Sequence, residues 1–127
     1  MRLLLDTHTV LWFFDDFEKL SETAYKAILN PENEKYVSVV SAWETAIKIS
    51  LKKLNFEGGT ANFLEAVEDN GFTILPIKGE YVKLVESLPF VHRDPFDRML
   101  VASAISERMC LVSADAIFRK YNVATIW

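Results

Sequence analysis

Four acidic side chains stand at comparable points of the sequence, either just after an apolar segment or at the beginning of a helical one. Asp6 closes the apolar N-terminal segment, and Asp115 follows a second apolar segment by two residues. The pattern places Glu44 and Asp97 in the first turn of two helices. In an open parallel α/β sheet, strand ends and the following helix starts lie at one edge, where ligands bind. The sequence therefore predicts that these four acids meet in one crevice.

Clustered carboxylates have a definite chemical use. They repel one another and raise each other's pKa, so a cluster is costly unless something positive fills it. Hard divalent cations with oxygen ligands suit such a cluster, chiefly Mg²⁺ or Mn²⁺, as one or two ions. His8 and His92 are the only histidines, and there is no cysteine and histidine set with zinc spacing. The expected cofactor is therefore a magnesium-like ion.

Each acid also has a purely structural interpretation. Asp6 can be a turn residue at a strand end, and Asp115 can cap a short helix. Glu44 completes an S-x-x-E capping box with Ser41. Asp97 lies at the third position of its helix, where an acid interacts favourably with the helix dipole. No single acid decides between these interpretations, and the argument for function depends on their convergence.

The pattern of apolar residues predicts strands and helices in alternation. Strand composition occurs over residues 2–6, 35–40, 72–76, 109–113 and 123–126. Helices are expected around residues 11–14 and over 21–29, 41–54, 60–71, 79–87, 94–108 and 116–121. Such alternation predicts an α/β fold, a three-layer α/β/α sandwich with a central, mainly parallel sheet.

Two of the expected helices have clear start signals. Asp94-Pro95 combines an acid at the cap with proline in the first turn, and the helix that follows is apolar on most sides, so it should be deeply packed. Ser41 is expected to begin the other. Six residues of that helix share one face: Trp43, Ala46, Ile47, Ser50, Leu51 and Leu54. Trp43 and Trp12 lie on apolar faces, and we interpret both as core residues rather than base-stacking platforms.

Length and composition fit one globular domain spanning residues 1–127. The formal charge is −4, but without the four candidate ligands the remaining 14 acids equal the 14 bases, so the balance does not exclude a nucleic-acid partner. Residues 3–14 are apolar, but Asp6 and His8 interrupt them and no signal-peptide order follows. No segment is long enough to cross a bilayer. The single cysteine, Cys110, lies in an apolar run, so we expect a buried thiol in a cytoplasmic protein.

Four segments together resemble the PIN-domain family, in particular the VapC group of toxin ribonucleases from type II toxin–antitoxin pairs. They are LLLDTHTVLWFF, VSVVSAWETAIK, HRDPFDRMLVASA and LVSAD, in family-like order and spacing along essentially the whole chain. The resemblance implies metal-ligand and catalytic roles for Asp6, Glu44, Asp97 and Asp115.

Further residues acquire roles from the same resemblance. Thr7 and Ser113 match positions where the family often has hydroxyls near the metal. Asp94 is interpreted first as a helix cap and second as a residue near the metal. The activity implied is endonucleolytic hydrolysis of RNA by metal-activated water, leaving a 5′-phosphate and a 3′-hydroxyl, without a histidine base. The partners implied are RNA, a cognate antitoxin protein and a second copy in a homodimer.

Basic residues near the acids are candidates for contacting RNA. Arg93 and Arg98 flank Asp97, and Lys48 lies one helical turn after Glu44. Each can equally be a solvated charge or the partner of a nearby acid, and Arg98 can orient a ligand carboxylate. His92 can either contact substrate or hold its loop.

Three alternatives remain open. A phosphatase of the haloacid dehalogenase type would need D-x-D at the end of the first strand, but His8 occupies the second acidic position. A response-regulator receiver domain would need paired acids there and an acceptor aspartate on a middle strand, where residues 37–40 offer only Val and Ser. The third is a catalytically silent PIN fold that only binds protein, against which the complete acid set argues.

Overall fold

The computed structural model describes residues 1–127 and has five strands and six α-helices. The strands are β1 (Arg2–Leu5), β2 (Glu34–Ser38), β3 (Thr73–Leu75), β4 (Cys110–Val112) and β5 (Thr125–Ile126). The α-helices are α1 (Thr7–Asp15), α2 (Glu22–Leu29), α3 (Val39–Ser50), α4 (Gly59–Asp69), α5 (Gly79–Ser87) and α6 (Pro95–Glu107). Short 3₁₀ helices cover Phe17–Lys19 and Ala116–Lys120. None of the helices has the length and apolar character that crossing a membrane requires.

All strand pairs are parallel, and the sheet order is β3-β2-β1-β4-β5. β1 is central because its three leucines are buried completely and can pack on both faces of the sheet. Helices cover both faces, so the predicted three-layer α/β/α sandwich is confirmed. The order also differs from the 2-1-3-4-5 order of receiver domains, which argues against that alternative.

One face of the sheet packs against α1, α2 and α4. Leu3 and Leu5 of β1 belong to a buried cluster with Val10, Ile28 and Phe63 from those helices. Aromatic rings extend this cluster, since Phe14 and Phe63 meet edge to face at 6.0 Å between ring centroids. This layer fixes the direction in which α1 leaves the end of β1, and therefore where Asp6 points.

The other face packs against α5 and α6. Leu4 points to this side of β1 and contacts a cluster that includes Tyr81, Leu100 and Phe118. The prediction that α6 is deeply packed is confirmed, because five consecutive residues from Leu100 to Ala104 are buried. Cys110 is buried as expected, and burial raises the pKa of its thiol.

Two predicted helix starts are wrong. Ser41 does not cap α3, because the Ser38 hydroxyl accepts from the Val40 backbone N–H and the helix begins three residues earlier than expected. Thr60 lies inside α4, which begins after Gly58 in the left-handed conformation. In both places a residue earlier in the sequence, Ser38 or Gly58, is the N-cap instead.

The apolar face predicted for α3 does not form its buried face. The helix ends at Ser50, and Trp43 and Leu51 are 58% and 57% exposed. The buried residues lie on another face: Val40, Ser41, Ala42, Glu44 and Thr45. The interpretation of Trp43 as a core residue is therefore wrong, whereas Trp12 is partly buried against the α1 side of the core.

Thr45 offers a test of how this polar face of α3 is packed. Its side chain is completely buried, and its hydroxyl has no hydrogen-bond partner. An unsatisfied buried hydroxyl costs about 1–3 kcal/mol, so we expect Thr45→Val, which keeps the shape, to raise the free energy of unfolding by about 1 kcal/mol. Denaturant unfolding measures this, with the exposed Thr23→Val on α2 as the matched control. A Thr45→Val protein less stable than the control would show that the hydroxyl has a partner.

Candidate metal centre and active site

Asp6 is the first residue after β1 and caps α1. Its backbone N–H donates to the Val112 carbonyl at 3.2 Å, which extends the pairing of β1 with β4 by one residue. Its Oδ1 accepts from the Thr9 N–H at 2.8 Å, as a helix cap does. Asp6 is only 6% exposed. The carboxylate is therefore fixed at the C-terminal edge of the sheet, in the central position.

Ser113 connects Asp6 with Asp115. The Ser113 hydroxyl donates to Asp6 Oδ2 and accepts from the Asp115 backbone N–H at 3.0 Å. Asp115 caps the 3₁₀ helix Ala116–Lys120 by accepting from Ile117 N–H at 3.0 Å. The interpretation of Asp115 as a helix cap is thus confirmed, and the same loop also brings this acid beside Asp6. Both acids line one cavity of about 230 Å³.

Glu44 is a buried acid in the second turn of α3, not in the first turn as predicted. Because Ser38 is the cap, there is no capping box with Ser41, and that structural explanation of Glu44 is wrong. The Thr7 hydroxyl instead donates to Glu44 Oε1 at 2.7 Å, and Ser41 Oγ lies 3.0 Å from the same hydroxyl. Lys48 pairs with Glu44 Oε2 at 3.0 Å. Thr7 therefore connects the end of β1 to Glu44.

Asp97 occupies the third position of α6, as expected. Asp94 caps this helix by accepting from the Asp97 N–H at 2.9 Å, and Pro95 follows it. Burial raises the pKa of Asp97 to about 6, helped by the charges of Asp94 and Glu44 and opposed by a hydrogen bond from His92.

The four acids are brought to one edge of the sheet in two connected pairs. Ser113 joins Asp6 to Asp115, Thr7 joins the Asp6 segment to Glu44, and Glu44 acts electrostatically on Asp97. No group of three or more His, Cys, Asp or Glu side chains is arranged closely enough to hold one ion.

The donor set still fits Mg²⁺ or Mn²⁺ in its chemistry, because all four candidates supply carboxylate oxygens and two of them are buried. Lys48 beside Glu44 and His92 beside Asp97 now supply partners that a cation would compete with. Of the four acids, Asp6 and Asp115 line one cavity that Glu44 and Asp97 do not line, so the meeting of all four acids in one crevice stays a prediction.

The basic candidates differ in their surroundings, and Lys48 takes the expected alternative of pairing with a nearby acid. Arg98 is buried, and its guanidinium donates to backbone carbonyls and to Tyr121 rather than to RNA or to a ligand carboxylate. Lys48 is the partner of Glu44. Arg93 is exposed and takes part in no ion pair or side-chain hydrogen bond. Of the predicted RNA contacts, it alone is unengaged.

Two residues near the acids were missed in the sequence. His8 is exposed and lines the cavity of Asp6 and Asp115, with Trp12 as a further wall. Its position two residues after Asp6 in the first turn of α1 is the signal that could have placed it there. Tyr121 forms a hydrogen bond with His92, but the two residues are far apart in the sequence, so no sequence pattern indicates this contact.

The fold and this edge define an all-parallel α/β protein with a carboxylate-rich site at the C-terminal ends of its central strands. A sequence model of the PIN domain family matches residues 3–124. The chain belongs to the PIN domain family.

Solved structures show the same fold at low sequence identity. A chain of VapBC2 from Rickettsia felis, solved with a DNA fragment from its promoter, superposes with a TM-score of 0.75 at 14% identity, covering 99% of this chain and 98% of that chain. VapBC-1 from nontypeable Haemophilus influenzae superposes with a TM-score of 0.70 at 14% identity, covering 99% of this chain and 97% of that chain. VapBC-5 from Mycobacterium tuberculosis superposes with a TM-score of 0.62 at 15% identity, covering 98% of this chain and 95% of that chain. No curated protein sequence matches the chain.

Proposed function

We propose that this protein is a Mg²⁺- or Mn²⁺-dependent endoribonuclease and the toxin of a toxin–antitoxin pair. The observation that supports this most is the placement of Asp6, Glu44, Asp97 and Asp115 at one edge of a parallel sheet, with Asp6 and Glu44 buried. Membership of the PIN domain family and the likeness to VapBC structures support the same class of activity.

The four acids would hold the cation, and the residues around them would orient those acids. A bound divalent ion lowers the pKa of water and stabilises charge on a phosphoryl group. Ser113 fixes one oxygen of Asp6, and Thr7 fixes one oxygen of Glu44. Such partners keep ligating carboxylates in one orientation. Arg93 is exposed on the loop before α6, and of the basic candidates it is the one left free to bind the RNA phosphates.

Cleavage of RNA extracted from cells tests the proposal, because a nuclease of narrow specificity can be inert on generic RNA. We expect new ends only with Mg²⁺ or Mn²⁺, each carrying a 5′-phosphate that an RNA ligase accepts directly. Cleavage that persists in EDTA, or no cleavage of any cellular RNA with either metal, would contradict the proposal.

A silent protein-binding PIN domain is the second candidate, and one observation favours it. Every candidate ligand already has a partner within the protein, including Lys48 at Glu44 and His92 at Asp97. Such a module would show no thermal stabilisation by Mg²⁺ or Mn²⁺, whereas the nuclease would. A phosphatase of the haloacid dehalogenase type has no supporting feature, since His8 stands where its second acid is needed.

The proposed homodimer uses the exposed apolar face of α3. Trp43 contacts Phe96 of α6 at 5.1 Å between ring centroids, and Leu51, directly after the end of α3, is also exposed. Contiguous exposed apolar surface is typical of protein interfaces, and a regular helical stripe suits a second copy of the same helix. We expect Trp43→Lys to shift the protein from dimer to monomer in analytical ultracentrifugation, whereas Leu29→Lys on α2 should not. A monomeric parent protein would contradict this part.

The proposed antitoxin is a small protein that blocks the acidic site. Phe17, Tyr25 and Leu29 form a second exposed apolar area, together with Phe13 and Phe14, where such a partner can bind away from α3. A purified cognate partner should therefore both bind this protein and stop its RNA cleavage. A partner that binds and leaves cleavage unchanged would contradict an antitoxin role.

A further inference from the structure

A chain of hydrogen bonds runs from the interior of the protein to Asp97. Arg98 Nη1 donates to the Tyr121 hydroxyl at 3.3 Å, and that hydroxyl lies 2.7 Å from His92 Nδ1. His92 Nε2 lies 3.0 Å from Asp97 Oδ2. Four side chains from α6 and the two loops that flank the site are therefore connected in series.

Arginine has only donors and an ionised carboxylate has only acceptors, so the two ends of this chain together give it one direction. Arginine has only donors, so the Tyr121 oxygen accepts from Arg98 and its single proton is free to be donated to His92 Nδ1. With Nδ1 accepting, the neutral imidazole carries its proton on Nε2, where it is donated to the Asp97 carboxylate. Each donor is polarised by the bond before it, which strengthens the last one.

The chain has a rigid anchor. Arg98 is 5% exposed, and its guanidinium also donates to the carbonyls of Val85, Leu88 and Pro89, at 3.3, 3.2 and 2.8 Å. These bonds fix the loop after α5, and no acid shares the guanidinium. Tyr121 is also buried, at 4% exposure.

The opposite end of the chain is open. Only Oδ2 of Asp97 is bonded, and Oδ1 accepts no hydrogen bond from the protein. The Asp97 side chain is 25% exposed, and its Oδ1 is the oxygen left without a partner.

We propose that His92 and Tyr121 are positioning residues that hold Asp97 by Oδ2 and present Oδ1 to the metal and the substrate. This inference rests on the proposed nuclease function. It gives a role to His92, which the sequence left undecided, and to Tyr121, for which the sequence indicated none. His92 acts here as a hydrogen-bond donor through Asp97 and is not the base of the reaction.

The tautomer of His92 tests the chain without metal, RNA or activity. In protein labelled with ¹⁵N-histidine, we expect His92 in the neutral state to carry its proton on Nε2. Tyr121→Phe keeps the ring but removes the donor to Nδ1, so we expect a mixture of tautomers. Tyr25→Phe, at an exposed tyrosine on α2, is the matched control and should leave the spectrum unchanged. A proton on Nδ1 in the parent protein, or no response to Tyr121→Phe, would overturn the inference.

The kinetic test separates positioning from a merely structural role. Removing a residue that orients a metal ligand costs about 10–100-fold in activity. We expect Tyr121→Phe and His92→Leu to lower kcat by about 10-fold or more with little change in KM, measured at a temperature where circular dichroism shows each variant folded. His92→Gln, whose amide N–H can replace the Nε2 donor, should recover most of the loss.

The two proposals fail in different ways. If the parent protein cleaves RNA but Tyr121→Phe and His92→Leu keep its kcat, the positioning role is wrong and the nuclease function stands. If the parent protein cleaves no RNA, the nuclease function is wrong, and the positioning role in catalysis is overturned with it. In that case the tautomer measurement still shows whether the hydrogen-bond chain itself exists.

Discussion

Replacing Asp6 by asparagine is expected to lower Mg²⁺-dependent RNA cleavage by about 10²–10³-fold, because a metal ion supplies several kcal/mol of charge stabilisation and each 1.36 kcal/mol is tenfold in rate. Asparagine is a helix cap as good as aspartate, so the bond to Thr9 N–H and the helix α1 should survive while the negative charge is lost. The initial rate of cleavage of a mapped RNA site measures the effect.

Asp69→Asn is the matched control for this substitution. Asp69 is exposed at the end of α4, far in the fold from the sheet edge that carries Asp6, so the same chemical change should leave the rate intact. Asp97→Asn should show a loss comparable to that of Asp6→Asn. Parent-like cleavage by both site variants would remove the metal mechanism.

The second large effect is expected in thermal stability. A ligand that binds only the folded state at 100 times its dissociation constant stabilises it by about 2.7 kcal/mol. For a domain of this size, we expect Mg²⁺ or Mn²⁺ at that level to raise the melting temperature by about 10 °C. Asp97→Asn should lose most of this shift, and Ser113→Ala should need about 10-fold more metal to reach it, because Ser113 orients Asp6.

Without metal, Asp97→Asn should raise the stability of the protein rather than lower it. Burial raises the pKa of Asp97 from 3.8 to about 6, so the folded state binds the proton more tightly than the unfolded state. In EDTA, Asp97 should therefore contribute its full stabilisation of the parent protein below about pH 4. This contribution should be lost as the pH rises through about 6. At neutral pH, Asp97→Asn escapes that penalty and should be more stable by about 1 kcal/mol. Calorimetry in EDTA measures this, and a less stable variant would contradict it.

The sequence predicted best where local chemistry and burial agree. Asp94 followed by Pro95 satisfies the first turn of α6 by itself, and the helix begins where this pair indicates. The apolar run Leu3–Leu5 is typical of a strand buried on both faces, and it forms one, which places Asp6 at the sheet edge. The placement of Asp6 at the end of β1 could therefore be predicted from neighbouring residues alone.

It predicted least well where a partner from elsewhere decides the outcome. Both Ser38 and Ser41 can cap a helix, and the register of β2 against β1 selects Ser38. Apolar periodicity in α3 identifies a stripe but does not say whether the core or another surface covers it, and Trp43 proved exposed. Arg98 and Tyr121 are far apart in sequence, so their contact and the chain to Asp97 appear only in three dimensions.

The sheet order has a consequence for how the protein is made. β1 is synthesised first but lies between β2 and β4, and the bond between Asp6 and Ser113 spans 107 residues. Chains emerge from the ribosome at about 5–20 residues per second, and long-range pairing must wait for both partners. Asp6 therefore stays apart from Asp115 until the ribosome has translated the chain past residue 115. A nascent chain that ends before residue 113 therefore lacks the hydrogen bond that fixes the Asp6 carboxylate.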